Sequence, residues 1–165
     1  MPPPTVETAP KERAADVEER DHVEDLTTIP EDVVDRSTFD QILEMDDDEE
    51  REFSRAIVFG FFDQAEETFR QMEESVKARD LPQLSSLGHF LKGSSATLGL
   101  TKVKDSCEKI QHLGVKKDEN GTHDITDESL CLDKIKKTLD TMKKDYRQAE
   151  VHLTKFYSEE IDSPP

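Results

Sequence analysis

The chain has 165 residues, a formal net charge of −17 and 37% charged residues. That balance argues against nucleic acid or anionic lipid as a partner, because phosphate groups call for clustered Lys and Arg. No apolar run approaches the ~20 residues of a membrane span, MPPPTVETAP lacks the pattern of a secretory signal, and two cysteines, Cys107 and Cys131, fit a reduced intracellular protein better than a disulfide framework.

Residues 1–30 read as a disordered tail. They carry Pro2, Pro3, Pro4, Pro10 and Pro30, many acids and no aromatic residue, so they cannot bury enough surface to offset their ordering entropy. One domain is expected over 31–160, with helical order beginning near Ser37 and residues 161–165 disordered.

In STFDQILEM, Phe39, Ile42 and Leu43 fall on one side of a short helix, with Asp35 or Ser37 as its cap. The acids of DDDEERE then sit where they complement the positive end of a long helix, or where they form a negative rim beside a binding surface. That long helix is expected over 49–79. Phe53, Ile57, Phe61, Ala65, Phe69, Met72 and Val76 recur every three or four residues, and Val58 and Phe62 widen the stripe.

RDLPQLSS restarts a helix, with Asp80 as cap and Pro82 in the first turn, and Gly99 ends it. Thr101 is expected to cap the next helix, whose seam is Val103, Cys107, Ile110 and Leu113. Residues 115–126 form a polar connection with a turn at Asn120-Gly121. The last helix carries Leu132, Ile135, Leu139, Met142, Tyr146, Ala149, Leu153 and Phe156, alternating three and four apart as a bundle seam does. No segment reads as a strand. The fold class is all-α: an antiparallel four-helix bundle with a short additional N-terminal helix.

The third of these helices holds an unusual stretch, LGHFLKGSSATLGL. At about 100° per residue, Leu84, Leu87, Leu91, Ser95 and Leu98 share the core side, and His89 points about 160° away, to solvent. Ser85, Ser86, Lys92, Gly93 and Ala96 surround it, all small except Lys92. Gly93 costs a helix about 1 kcal/mol relative to alanine. Either it lets two helices approach or it clears space for something outside the chain. An exposed imidazole is largely neutral near pH 7, and its free nitrogen is a nucleophile. In-line arrival of a phosphoryl group needs open space, and Lys92 can attract its charge. These residues alone point to a phosphoacceptor histidine, with a plain surface histidine as the alternative.

GHFLKGSSATLGL followed by CEKIQHLG resembles the signature of histidine-containing phosphotransfer (HPt) proteins, in particular the fungal phosphorelay intermediates of the yeast osmosensing type. MDDDEEREFSRAIVFGFFDQAEETFRQM and AEVHLTKFY are also similar to that group, so the resemblance spans residues 37–157. It implies a carrier without turnover of its own. His89 would accept a phosphoryl group from the aspartyl phosphate of a hybrid sensor kinase receiver domain and pass it to a response regulator receiver. Lys92 and Gly93 fall on the pattern's lysine and glycine, and Gln111 on the glutamine that orients the histidine. The resemblance places an apolar docking patch on Ile42, Met45, Phe53, Ile57 and Phe90, flanked by Ser94 and rimmed by Asp46, Asp47 and Asp48.

No G-x-x-x-x-G-K-[ST] loop is present, which argues against a complete kinase. His22, His89, His112, His123 and His152 are scattered, so no metal site is expected, and Mg²⁺ is expected only in the partner receiver. A monomer in cytoplasm and nucleus, serving osmotic stress signalling, completes the expectation. The competing reading is a non-phosphorylated helical adaptor for receiver domains.

Overall fold

The structure, a computed structural model, describes residues 29–162, with side chains through Ser158. It contains five helices among these residues: α1 (Arg36–Leu43), α2 (Glu52–Lys77), α3 (Leu81–Leu98), α4 (Thr101–Gly114) and α5 (Glu128–Asp162). Helices α2 to α5 make the four-helix bundle, and α1 lies across α3 as the additional N-terminal helix. The only strand-like feature among the described residues is an isolated bridge between Lys117 and Asp124, which closes the turn around Gly121.

The seams read from periodicity form the core. Val103, Cys107, Ile110 and Leu113 of α4 are buried, as are all eight seam residues of α5 from Leu132 to Phe156. Tyr146 sits amid Phe61, Phe62 and Phe69, with ring centroids 6.3, 6.1 and 5.2 Å away, and its hydroxyl donates to Glu66 at 3.0 Å. Placing a polar tip at the edge of an aromatic cluster keeps the phenol satisfied while its ring is buried.

The start and end of α3 follow sequence logic closely. The Asp80 carboxylate accepts from the Gln83 N–H at 3.1 Å, and Pro82 occupies the first turn. Gly99 ends the helix at φ 82, in the left-handed region where a side chain is strained, and the Leu100 N–H returns to Ser95 O at 2.9 Å.

Several boundaries differ from the sequence reading. Order precedes Ser37: Ile29, Val33 and Val34 are buried, Val33 and Val34 donate to Pro30 O, and Asp35 N–H donates to Gly99 O at 2.8 Å. Three apolar residues in a polar stretch are too few to register in composition, yet all three join the core, and Asp35 just after them meets the end of α3. Ile29 therefore belongs to the core and not to the expected tail 1–30, of which residues 1–28 lie outside the described residues. Helix α5 continues through Asp162, past the expected boundary at 160; residues 163–165 lie outside the described residues.

Thr101 is the first residue of α4 and not its cap. Leu100 holds that position, without a side-chain hydrogen bond. Helix α2 runs over Glu52–Lys77, inside the expected 49–79, because Arg51 adopts φ 55 and breaks the helix there. Among the acids before it, Asp46 accepts both the Ser54 N–H at 2.7 Å and the Ser54 hydroxyl at 2.6 Å, and Asp48 accepts the Glu52 N–H at 3.3 Å. These two carboxylates satisfy donors of the first turn, so the helix-terminus reading describes Asp46 and Asp48.

Candidate functional site

Helix α3 presents its leucines inward and His89 outward. Leu84, Leu87, Leu91, Ser95 and Leu98 are buried, whereas His89 and Gly93 are exposed and Lys92 is half-buried. Because α3 is a regular helix with one inward face, about 100° of rotation per residue carries His89 outward.

Gly93 has an unambiguous environment. A Cβ built there would meet nothing within 4 Å, so helix packing does not account for the glycine. Five residues earlier the opposite holds. Gly88 is buried, and a Cβ there would lie 2.8 Å from Cys107 O and 3.1 Å from Gln111 N. Two glycines of one helix thus serve opposite sides: Gly88 the packing, Gly93 the exposed face. Sequence reasoning missed Gly88, although its position on the helical wheel beside Ser95 and Leu84, at the edge of the core stripe, carried the signal.

The imidazole has one partner from another helix. Gln111 of α4 approaches it, Nε2 to Nδ1, at 3.4 Å, long for a hydrogen bond, and the amide's Oε1 is buried without a partner. An amide makes such a bond in either sense. With Nε2 as donor, the neutral ring carries its proton on His89 Nε2. With the amide turned over, Oε1 gains a donor in Nδ1–H, and the lone pair of His89 Nε2 is free and faces outward. The hydrogen-bonded nitrogen therefore selects which nitrogen reacts.

Around this centre the expected docking residues separate. Met45, Phe53 and Phe90 are exposed at 63%, 43% and 51%, well above the ordinary burial of such side chains. Ile57 is partly buried and lines an open groove between α2 and α3 together with Gly60, Phe61, Gln64, Ser94 and Thr97. Ser94 is held within that groove, its hydroxyl donating to Gln64 Oε1 at 2.7 Å, so Gln64 is a further residue of this surface. Ile42 is only 5% exposed: it packs into the core beneath α1 and is not part of a surface patch. Asp46 is occupied by Ser54, while Asp47 and Asp48 are exposed. Ile42 is covered and Asp46 is bonded to Ser54 because a short helix and its following loop fold back on the bundle, which periodicity over so few residues does not show.

Among the described residues, no group of three or more His, Cys, Asp or Glu is placed to hold a metal, and no helix is long and apolar enough to cross a membrane.

Comparison with known proteins agrees with this geometry. The Hpt domain matches residues 57–149. The phosphorelay intermediate protein YPD1 of Saccharomyces cerevisiae is 32% identical, over 81% of this chain and 98% of its own length. The multistep phosphorelay regulator 1 of Schizosaccharomyces pombe is 48% identical over 76% of this chain, and the chain spans only 42% of that relative. Among solved structures, the co-crystal of S. cerevisiae Ypd1 with the receiver domain of its downstream response regulator Ssk1 superimposes with a TM-score of 0.67 and 33% identity, over 79% of this chain and 97% of that one. On its bundle, its exposed histidine and these matches, the chain belongs to the Hpt domain family.

Proposed function

We propose that the protein is a phosphorelay intermediate. It accepts a phosphoryl group on His89 from the aspartyl phosphate of a hybrid sensor kinase receiver domain and passes it to the receiver aspartate of a response regulator. The observation that carries this reading is an exposed imidazole, approached at Nδ1 by the Gln111 amide at 3.4 Å, beside a glycine whose outward side is empty.

The chemistry follows from that arrangement. The His89 Nε2 lone pair attacks phosphorus in line as the bond from phosphorus to the donor aspartate oxygen breaks, and the carboxylate leaves with the electron pair. In the second half-reaction an acceptor carboxylate oxygen attacks, the N–P bond breaks, and the electron pair returns to the ring. With the Gln111 amide turned so that Oε1 accepts from Nδ1–H, the Nδ1 proton stays in place throughout. Lys92, one turn along the helix, attracts the phosphoryl oxygens. Mg²⁺, where the transfer uses it, acts from the receiver's side. The protein carries the group and has no kinase or phosphatase turnover of its own.

Met45, Phe53, Ile57 and Phe90 supply the apolar part of the receiver-docking surface, with Ser94 and Gln64 on its groove side. We place the protein in cytoplasm and nucleus and in osmotic stress signalling, as a monomer because one bundle and the docking surface use up its apolar stripes.

Mixing tests the proposal. With ATP alone the protein should gain no acid-labile label, and with a phosphorylated receiver domain it should gain one. Label from ATP alone would make it a kinase, and no label from either would leave the adaptor reading. His89→Gln should abolish labelling, and His112→Gln and His152→Gln should retain it.

A further inference from the structure

We infer that Ser85 and Gly88 are positioning residues for the phosphoacceptor, fixing the separation of α3 and α4 at the one residue, Gln111, that holds the His89 ring. The inference rests on the proposed role of His89 and adds to it what sets the ring's orientation.

Gln111 reaches His89 from a different helix, so the distance between them is an interhelix distance. Two contacts on α3 set it, and both fall on the Gln111 backbone. The missing Cβ of Gly88 lets the Gln111 N–H side come close: a methyl there would lie 3.1 Å from Gln111 N, 2.8 Å from Cys107 O and 3.4 Å from Ile110 Cγ2. The first two are backbone atoms, which no rotamer change relieves, so α4 would have to move as a body. On the other side, the Ser85 hydroxyl donates to Gln111 O at 2.9 Å. That carbonyl is among the last four of α4, the ones an α-helix leaves without N–H partners of its own. Ser85 thus satisfies a leftover acceptor and ties down the same residue that Gly88 admits.

Gly114 shows that this crossing is built close throughout. A Cβ there would lie 2.7 Å from Ser85 N and 2.8 Å from Leu81 O. At the far end of the contact, the Gln111 amide sits 3.4 Å from the ring, at the limit of its reach. A small outward shift of α4 breaks the contact, and the ring then samples both tautomers, only one of which exposes a nucleophilic Nε2.

The test uses Ser85→Ala, Gly88→Ala and Gln111→Ala, singly and paired, with two readouts: the rate of transfer from a phosphorylated receiver domain, and the ¹⁵N shifts of the His89 ring. In the wild type one tautomer should dominate. Ser85→Ala and Gly88→Ala should both move the ring toward the mixture of free imidazole and slow transfer by about five-fold or more. Neither should slow it further in the Gln111→Ala background, because the three act through one contact. Ile135→Val, a core change on α5, should lower the melting temperature and leave the ring shifts alone. Unchanged ring shifts in Ser85→Ala and Gly88→Ala, a wild-type ring already mixed, or losses that add fully to Gln111→Ala would each overturn the inference. If Gly88→Ala does not fold, Ser85→Ala decides. A wild-type protein that takes no label overturns the carrier reading itself, whereas the ring shifts still report whether Ser85 and Gly88 set the imidazole.

Discussion

The Tyr157 hydroxyl, near the end of α5, donates to Ser54 Oγ in the first turn of α2 at 2.7 Å. Ser54 in turn donates to Asp46, whose other oxygen accepts the Ser54 N–H. A buried chain of donors thus joins the last helix, the start of the long helix and the loop after α1. Burial pushes the Tyr157 phenol up to about 12, so it remains a donor across the physiological range.

This relay predicts unequal costs. Tyr157→Phe removes one donor and leaves the Ser54–Asp46 bonds, at a cost of about 0.5–1.5 kcal/mol. Ser54→Ala strands a buried phenol and deprives Asp46 of a hydroxyl, at a cost of about 1–3 kcal/mol. Urea unfolding of the two variants measures the difference, and equal costs would contradict the relay.

Gly93→Gln should separate fold from function. Its Cβ would enter open space, so helix propensity alone applies and stability should hold or rise by up to about 1 kcal/mol. The side chain would occupy the space beside His89, and transfer should fall by about ten-fold or more, each ten-fold being about 1.4 kcal/mol of barrier. A variant that melts early but transfers normally would show that the exposed face has been misread.

A chain beginning at residue 29 keeps every described core contact and should melt within a degree or two of the full chain. A chain beginning at residue 35 loses Ile29, Val33 and Val34, all buried. At about 1.5–3 kcal/mol for each fully buried aliphatic side chain, the second truncation should lower the melting temperature by many degrees. Equal melting of the two truncations would mean that the 29–34 segment contributes nothing to the bundle.

Both cysteines should resist modification until the protein unfolds. Cys107 is fully buried and its thiol is pushed up to about 12, chiefly by burial; Cys131 is also buried and shifted upward. At pH 8 a thiol-reactive chromophore should therefore label neither cysteine of the folded protein and both in denaturant. Rapid labelling of the native protein would show local opening of α4 or α5.

The helices were legible because each long one repeats its apolar residues over many turns. The seam of α5 needed no tertiary knowledge, and neither did the outward direction of His89, which followed from the leucines around it. The ends of the domain were not legible in this way. Ile29 and Ile42 are buried by chain segments that double back on the bundle, a tertiary event with no local period. The His89–Gln111 pairing was reached through resemblance, since nothing in either helix alone says which turn of α4 meets which turn of α3. That register is set by Gly88 and Gly114, whose close approaches are visible only once both helices are in place.

Four of the five hydroxyls on α3 donate to oxygens of the protein: Ser85 to Gln111 O, Ser94 to Gln64 Oε1, Ser95 to Leu91 O and Thr97 to Gly93 O. These four hydroxyl oxygens are therefore held in fixed positions along the helix. A phosphoryl group that migrated from nitrogen to such an alcohol would become a low-energy ester, unable to move on to a carboxylate, and each such event would remove one molecule from the signalling pool. On the proposed function, bonds that fix where these oxygens sit limit their approach to a phosphoryl group on His89, which keeps the cargo a phosphoramidate and the signal spendable.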